Sequence, residues 1–169
     1  CDADTEVILH GYEEYGKEFN KRLRGMFAYM IWDMKEQVLF GARDIFGIKP
    51  FFYYSKGDSL MFASEIKSFT ANPYFEKELN RDRIPEYLCF EFIPTNETLF
   101  KNVYKMPPGH CFTAREGKIE IEPYFVMKYD IDDSKSLEEW EDIIAETFDG
   151  SIKAHSIADV EVGCFLSSG

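Results

Sequence analysis

The chain has 169 residues, of which 45% are hydrophobic and 17% aromatic, so it can bury the core of one domain, or of one domain plus part of another, and is not a disordered tail. A net charge of −12, a pI near 4.7 and the absence of any run of lysine and arginine argue against a nucleic-acid-binding surface. No apolar stretch reaches the roughly 18 residues of a membrane span, and the first residues lack the basic segment of a signal peptide.

The first predicted element is a short surface helix. Apolar residues recur at helical spacing from Thr5 to Tyr15, and Gly16 supplies a stop. Asp4 precedes this segment and is a preferred N-cap residue. We therefore expect Asp4 to cap the helix.

After Gly25 the pattern changes to β-hairpins. Both faces of the predicted strands are apolar, which indicates a sheet covered on two sides, as in a layered α+β sandwich. The predicted elements are strands over 26–32, 37–42, 50–54 and 60–63, a short helix over 81–90, and a hairpin that pairs 109–113 with 118–121.

A different unit is predicted after residue 126. Residues 128–135 are acidic and poor in apolar side chains, which is typical of an exposed linker. Ser136 and Glu139 then form a capping box at the start of a helix. We predict a first domain over 1–126, a linker over 127–136 and the start of a second domain over 137–169. The apolar stripe of the predicted helix consists of Leu137, Trp140, Ile144, Phe148 and Ile152.

An apolar strand is predicted after Ile157, and it leads into the small-residue turn formed by Leu166, Ser167, Ser168 and Gly169. Small residues let several backbone N–H groups converge on a phosphate. A helix, a buried strand and such a turn, in this order, are typical of the entry to an α/β nucleotide-binding unit. Taken alone, the turn also fits an ordinary strand end.

The four cysteines lie far apart and include no CxxC pair. This spacing predicts neither a zinc site nor a disulfide framework. It favours a reducing compartment, and we expect a cytoplasmic protein.

Six strings occur in one order along the chain and are more specific than composition or periodicity. They are Asp4-Thr5-Glu6-Val7-Ile8-Leu9; Gly25-Met26-Phe27-Ala28 with Trp32-Asp33; Ala42-Arg43-Asp44 with Gly47-Ile48-Lys49-Pro50; Ala63-Ser64-Glu65-Ile66-Lys67; Lys105-Met106-Pro107-Pro108-Gly109-His110; and Gly163-Cys164-Phe165-Leu166-Ser167-Ser168-Gly169.

Together, these strings resemble glutamine-hydrolysing asparagine synthetases over nearly the whole chain. The first four are shared in looser form with other glutaminase domains, and the last two narrow the resemblance to the asparagine synthetase group. The resemblance implies a segment from the middle of such an enzyme. It would comprise the C-terminal part of an N-terminal-nucleophile glutaminase domain and the start of an α/β synthetase domain, truncated at its pyrophosphate loop.

The resemblance implies a reaction at two sites. A cysteine thiol at the N-terminus of the enzyme attacks the side-chain amide of glutamine, and the released ammonia travels to a second site. There, ATP and Mg²⁺ activate aspartate as an acyl-adenylate, from which ammonia displaces AMP to give asparagine. The implied partners are glutamine, aspartate and ATP, without nucleic acid or membrane, and a homodimer is left open.

The resemblance assigns one glutamine-binding residue in this chain. Asp4 matches the aspartate that binds the α-amino group of glutamine, and a carboxylate is the natural complement of an ammonium group. Cys1 lies immediately before this string, whereas the family's nucleophile lies well upstream of it. We therefore expect no catalytic residue in the chain and do not identify Cys1 as the nucleophile.

Leu166, Ser167, Ser168 and Gly169 match the family's ATP-binding loop. Ser168 replaces a glycine of the family pattern, so the loop is retained only if this position does not need a positive φ. Glu161, where the family often has proline, is a second departure. The Asp-Ser pair that follows the loop in the family would complete the phosphate and metal environment.

Other prominent residues have simpler interpretations. Arg43 and Asp44 either orient a domain interface or form a buried ion pair that fixes a hairpin, and we favour the ion pair. His110 follows a rigid turn and is expected to be structural rather than a general base. Lys49 and Lys67 are expected to make surface or interdomain contacts. The predicted core includes Trp32, Phe51, Phe52 and Tyr53.

Two alternatives to asparagine synthesis stay open. Another amide-forming ligase of the same architecture, such as a β-lactam synthetase or an enzyme that amidates a peptide or glycan, would share these motifs. A non-catalytic glutaminase-like interaction domain is the alternative from a different class. Asp4 favours a working glutaminase over a β-lactam synthetase, and the Phe165–Gly169 end argues against an interaction domain.

Overall fold

The structure is a computed structural model and describes residues 4–165. The chain divides into two compact units, Cys1–Val126 and Met127–Gly169. Leu166, Ser167, Ser168, Gly169 and Cys1 lie outside the described residues.

The first unit is an α+β domain. Its elements in chain order are α1 (Asp4–Tyr15), a 3₁₀ helix (Gly16–Arg22), β1 (Ala28–Asp33), β2 (Val38–Arg43), β3 (Phe52–Lys56), β4 (Ser59–Ala63), a 3₁₀ helix (Ile66–Ala71), a 3₁₀ turn (Arg81–Arg83), α2 (Ile84–Phe90), β5 (Val103–Lys105), β6 (His110–Arg115) and β7 (Lys118–Pro123). The strands form two antiparallel sheets, one with the order β1-β2-β6-β7 and one with the order β4-β3-β5.

The predicted helices and hairpins of this unit are confirmed to within a few residues. The prediction lacks the 3₁₀ helices Gly16–Arg22 and Ile66–Ala71, and among the described strands it lacks β5. Strand β5 is three residues long, too short for a recognisable alternation, and exists because Phe52 and Tyr54 of β3 provide an edge with which it pairs.

Both faces of the four-stranded sheet are covered near its centre. On one face, the ring of Tyr12 from α1 stacks on Phe40 with 5.1 Å between ring centroids, next to buried Cys111. On the other face, Phe112 of β6 stacks on Phe62 of β4 at 4.6 Å. Helix, sheet and sheet therefore form successive layers, as the apolar strands predict.

The outer face of the three-stranded sheet has its own core. Tyr54 of β3 and Val103 of β5 are fully buried there against Phe69 from the second 3₁₀ helix. Phe75 adds an edge-on contact to Tyr54, with 5.1 Å between centroids. This cluster provides a fourth layer of short helix and loop.

Strand β1 is at the edge of its sheet and is only partly covered. Trp32 is 53% exposed and Met30 is 46% exposed, so the prediction that Trp32 belongs to the core was wrong. The opposing sheet packs against β2, β6 and β7 and leaves this end of β1 open. Phe51 is buried as predicted, while Phe52 and Tyr53 are half-buried.

The second unit contains α3 (Leu137–His155). The predicted capping box is confirmed: Ser136 Oγ accepts from the Glu139 backbone N–H at 3.2 Å, and the Glu139 carboxylate accepts from the Ser136 N–H at 2.7 Å. Most of the apolar stripe is solvent-exposed, including Ile144 and Phe148.

The predicted strand after Ile157 is absent from the described residues. Residues 157–165 have no regular secondary structure and are exposed. An apolar sequence becomes a strand only where a neighbouring strand pairs with it, and the described part of this unit offers none.

Within residues 4–165, no helix is both long and apolar enough to cross a membrane.

Candidate functional site

Asp4, the predicted cap, is the first residue of α1, because the helix begins one position earlier than the predicted start at Thr5. Its side chain is exposed. A carboxylate in the first turn interacts favourably with the partial positive charge of the helix N-terminus. The geometry leaves the carboxylate accessible to a ligand, and its glutamine-binding role stays a prediction.

Arg43 and Asp44 do not form the ion pair that we predicted. In the described part of the chain, both side chains bond to backbone groups instead. The Arg43 guanidinium donates to the carbonyl oxygens of Lys49 at 2.7 Å, Gly47 at 2.6 Å and Met106 at 2.6 Å. Burial lowers the pKa of Arg43, and the nearby Asp44 carboxylate opposes that shift.

The Asp44 carboxylate accepts hydrogen bonds from backbone N–H groups of the same loop. Asp44 is 1% exposed and accepts from the N–H groups of Phe46 at 3.2 Å, Ile48 at 2.9 Å and Lys49 at 3.0 Å. A buried carboxylate is tolerated when several donors converge on it. Together, Arg43 and Asp44 fix the backbone of residues 44–49.

This loop is joined to the Lys105–His110 motif. The Asp44 carbonyl accepts from the Gly109 N–H at 2.9 Å, and a Cβ on Gly47 would lie 2.9 Å from Pro108 Cγ. Gly47 also has a φ of +63°, so glycine meets both the conformational and the steric requirement. Two motifs that the sequence placed apart thus form one rigid element.

Lys105 and His110 also have structural contacts. Lys105 Nζ donates to the Ile93 carbonyl at 2.6 Å, and burial, with the like charge of Arg43, lowers its pKa. His110 Nδ1 contacts the Pro108 carbonyl at 2.8 Å, which agrees with the predicted structural role. The sequence analysis assigned no role to Lys105. Its place in the Lys105–His110 motif is the signal that could have pointed to it.

The two predicted surface lysines differ in their contacts. Lys67 pairs with Glu65 at 2.6 Å on an exposed surface. The Lys49 side chain is exposed, while its backbone serves the Arg43–Asp44 loop.

A groove of about 490 Å³ lies between α1 and the β1–β2 turn. Tyr12 donates to Asp33 at 3.2 Å in its wall, and burial, followed by the Asp33 charge, raises the pKa of Tyr12. The backbone N–H groups of Glu36 and Lys35, which bond to Asp33, lower the pKa of that carboxyl. The apolar side chains that line the groove include Leu9, Ile31, Trp32 and Met34.

Residues 1–125 match the glutamine amidotransferase domain, and the chain therefore belongs to this family. It is 40% identical over 172 residues to asparagine synthetase [glutamine-hydrolysing] 1 of Bacillus subtilis, an alignment that covers 99% of the chain and 26% of the relative. It is 34% identical to putative asparagine synthetase [glutamine-hydrolysing] 2 of Methanocaldococcus jannaschii, with 99% of the chain and 33% of the relative covered.

The resemblance to glutamine-hydrolysing asparagine synthetases is thus confirmed. The amidase chyE of Penicillium rubens is also similar, at 33% identity over 99% of the chain and 25% of the relative. The chain spans between a quarter and a third of the length of these relatives.

Proposed function

We propose that the full-length protein makes asparagine from aspartate in an ATP-dependent reaction, with glutamine as nitrogen donor. One observation carries this proposal. The glutamine amidotransferase match ends at residue 125, whereas the similarity to the asparagine synthetases covers 99% of the chain and so continues through the second unit. If the chain resembled these relatives only in the glutamine amidotransferase domain, the sequence similarity would have ended with the first unit.

In this proposal, the first unit contributes to the glutamine site through Asp4. An exposed carboxylate can meet the α-ammonium group of glutamine in a charge-assisted hydrogen bond. The thiol that attacks the amide is supplied by a residue other than Cys1, so Cys1→Ala in the full-length protein should leave glutamine hydrolysis unchanged.

The ATP site is proposed at Leu166, Ser167, Ser168 and Gly169, whose small side chains suit a phosphate-binding turn. ATP with Mg²⁺ would convert the aspartate carboxylate into an electrophile with a good leaving group. We propose a cytoplasmic enzyme, since the described cysteines Cys89, Cys111 and Cys164 are unpaired, as is typical of a reducing compartment.

A second candidate is another amide-forming ligase with a different acceptor. Two relatives named as amidases are each 33% identical to the chain over 99% of its length, and this similarity favours the second candidate. No residue of the chain is assigned to acceptor binding, so the chain itself does not discriminate between the two acceptors.

The two candidates are separated by one assay on the full-length protein. Glutamine labelled with ¹⁵N at the side-chain amide is supplied with ATP, Mg²⁺ and aspartate. Asparagine labelled at its amide, with one AMP formed per asparagine, is the expected result. If glutamate forms in the presence of aspartate but no labelled asparagine appears, asparagine synthesis is refuted and a different acceptor is favoured.

A further inference from the structure

Helix α1 is attached to the rest of the first unit about two turns after Asp4. Gly11 is the buried residue of the helix, and a Cβ at this position would lie 2.2 Å from the ring of buried Phe19. The next residue, Tyr12, stacks on Phe40 of β2 with 5.1 Å between ring centroids. Because glycine has no side chain, the helix lies directly on Phe19 while Tyr12 reaches the sheet. We call Gly11 and Tyr12 the anchor of α1.

A hydrogen bond adds direction to this anchor. Tyr12 Oη donates to Asp33 Oδ2 at 3.2 Å. The other oxygen of the same carboxylate, Oδ1, accepts from the backbone N–H groups of Lys35 and Glu36, each at 2.9 Å. Because these two bonds tie the carboxylate to the turn between β1 and β2, the Tyr12 hydroxyl is held at a fixed point of the sheet. A ring stack alone resists rotation of the helix less well, since it has no directional bond.

The half of α1 that precedes the anchor is mostly exposed, and it carries Asp4. Thr5, Val7 and Leu9 are exposed there together with Asp4. A rise of 1.5 Å per residue places Asp4 about 12 Å from Tyr12 along the helix axis, so a tilt of about 5° at the anchor moves Asp4 by about 1 Å. A displacement of this size is enough to weaken a hydrogen bond to a bound substrate severely. The position of Asp4 therefore depends on the anchor.

We propose that Tyr12 and Asp33 are positioning residues for glutamine binding: their hydrogen bond sets the tilt of α1 and so places the Asp4 carboxylate against the α-ammonium group of glutamine. This inference rests on the proposed function, in which Asp4 is part of the glutamine site. Tyr12 and Asp33 act through Asp4 and not on the reacting amide. Their effect should therefore appear in the KM for glutamine, while kcat and the use of ammonia are retained.

The chain offers a matched control in the same cluster of rings. Tyr124 packs against the same buried residues as Tyr12, and its hydroxyl donates to the Arg43 carbonyl at 2.7 Å. Tyr12→Phe and Tyr124→Phe thus each remove one hydroxyl and one hydrogen bond and leave a ring in the cluster. Tyr12 belongs to α1, whereas Tyr124 follows β7. A general loss of packing or stability should affect both variants, and a shift of α1 should affect Tyr12→Phe.

The test uses steady-state kinetics of the full-length protein. Tyr12→Phe should raise the KM for glutamine about 3- to 10-fold, with kcat and synthesis from ammonia within about twofold of wild type. Asp33→Ala removes the acceptor instead of the donor and should raise this KM at least as much. Tyr124→Phe should leave it within about twofold of wild type. A KM that rises equally in Tyr12→Phe and Tyr124→Phe, or in neither, would overturn the proposal.

A double-mutant cycle with Asp4→Ala tests whether Tyr12 acts through Asp4. Adding Tyr12→Phe to Asp4→Ala should change the KM for glutamine by less than about twofold, because the contact that Tyr12 positions is already lost. Increases that multiply in the double variant would overturn the proposal. If Asp4→Ala alone leaves the KM unchanged, the proposed glutamine-binding role of Asp4 fails and the inference fails with it. A raised KM in Asp4→Ala and an unchanged KM in Tyr12→Phe refute the positioning role alone.

Discussion

The guanidinium of Arg43 donates a hydrogen bond to the carbonyl oxygen of Met106, a residue 63 positions later in the chain. The same side chain holds the carbonyls of Gly47 and Lys49. One arginine thus joins the loop after β2 to the loop before β6. Five donors in a planar fork make this possible, which a lysine would not reproduce.

Replacing Arg43 with methionine should therefore lower the free energy of unfolding by about 2–4 kcal/mol, because the carbonyls lose a charged donor while Asp44 stays buried. Arg115→Met is the matched control. Arg115 donates an exposed hydrogen bond to the Glu36 carbonyl, and its replacement should cost less than about 1 kcal/mol. Urea unfolding of both variants measures the difference. Equal losses would contradict the role given to Arg43.

Two tyrosines should respond in opposite ways to loss of the hydroxyl group. The Tyr54 hydroxyl is buried without a hydrogen-bond partner among residues 4–165, so Tyr54→Phe should be neutral or stabilising by up to about 1 kcal/mol. The Tyr29 hydroxyl donates to buried Asn20, so Tyr29→Phe should cost about 1–2 kcal/mol. Thermal unfolding of the two variants measures these changes in stability. A marked loss for Tyr54→Phe would show that its hydroxyl has a partner, such as an internal water.

Two glycines should also differ. A Cβ on Gly41 of β2 would lie 2.4 Å from the Phe112 ring and 2.6 Å from the Tyr29 carbonyl oxygen, so Gly41→Ala should destabilise by at least about 2 kcal/mol. Gly150 of α3 has open space around it, and Gly150→Ala should raise helix stability by about 1 kcal/mol. Circular dichroism during urea unfolding follows both. A Gly41→Ala variant as stable as wild type would show that the two sheets can separate without cost.

The sequence predicts elements whose signals are local. The capping box of Ser136 and Glu139 and the strands of the hairpins follow from spacing within a few residues, and all of them are found. The contacts of Arg43 were mispredicted because Asp44 is its neighbour in sequence, whereas its actual acceptors are placed by the turn at Gly47 and by packing of the 106–109 segment.

Long-range pairing also explains the two errors in strand assignment. Residues 157–165 are apolar but no described strand lies beside them, and Val103–Lys105 is short but has β3 to pair with. Trp32 was misplaced because its burial depends on how far the opposing sheet extends, which no local pattern encodes. For the candidate site, Asp4 was assigned through motif resemblance, and the Leu166–Gly169 turn through its small residues and the same resemblance; both assignments stay predictions.

If the Leu166–Gly169 turn binds phosphate as proposed, Gly169→Val in the full-length protein should abolish synthesis from both glutamine and ammonia, because a β-branched side chain disfavours a positive φ and would crowd the phosphate oxygens. Glutamine hydrolysis should persist. Formation of AMP and of glutamate, measured on the same preparation, separates the two effects. Normal AMP formation by a folded variant would mean that the Ser-Ser-Gly segment is an ordinary turn.

The central claim is that the first unit binds glutamine for amide transfer, and Asp4→Ala in the full-length protein tests it most directly. The matched control is Glu14→Ala, which removes an exposed carboxylate from the other end of α1. Loss of a charge-assisted hydrogen bond should lower kcat/KM for glutamine by about 10- to 150-fold while synthesis from ammonia stays near the wild-type rate. An equal fall with both nitrogen sources, or no fall with glutamine, would contradict the account.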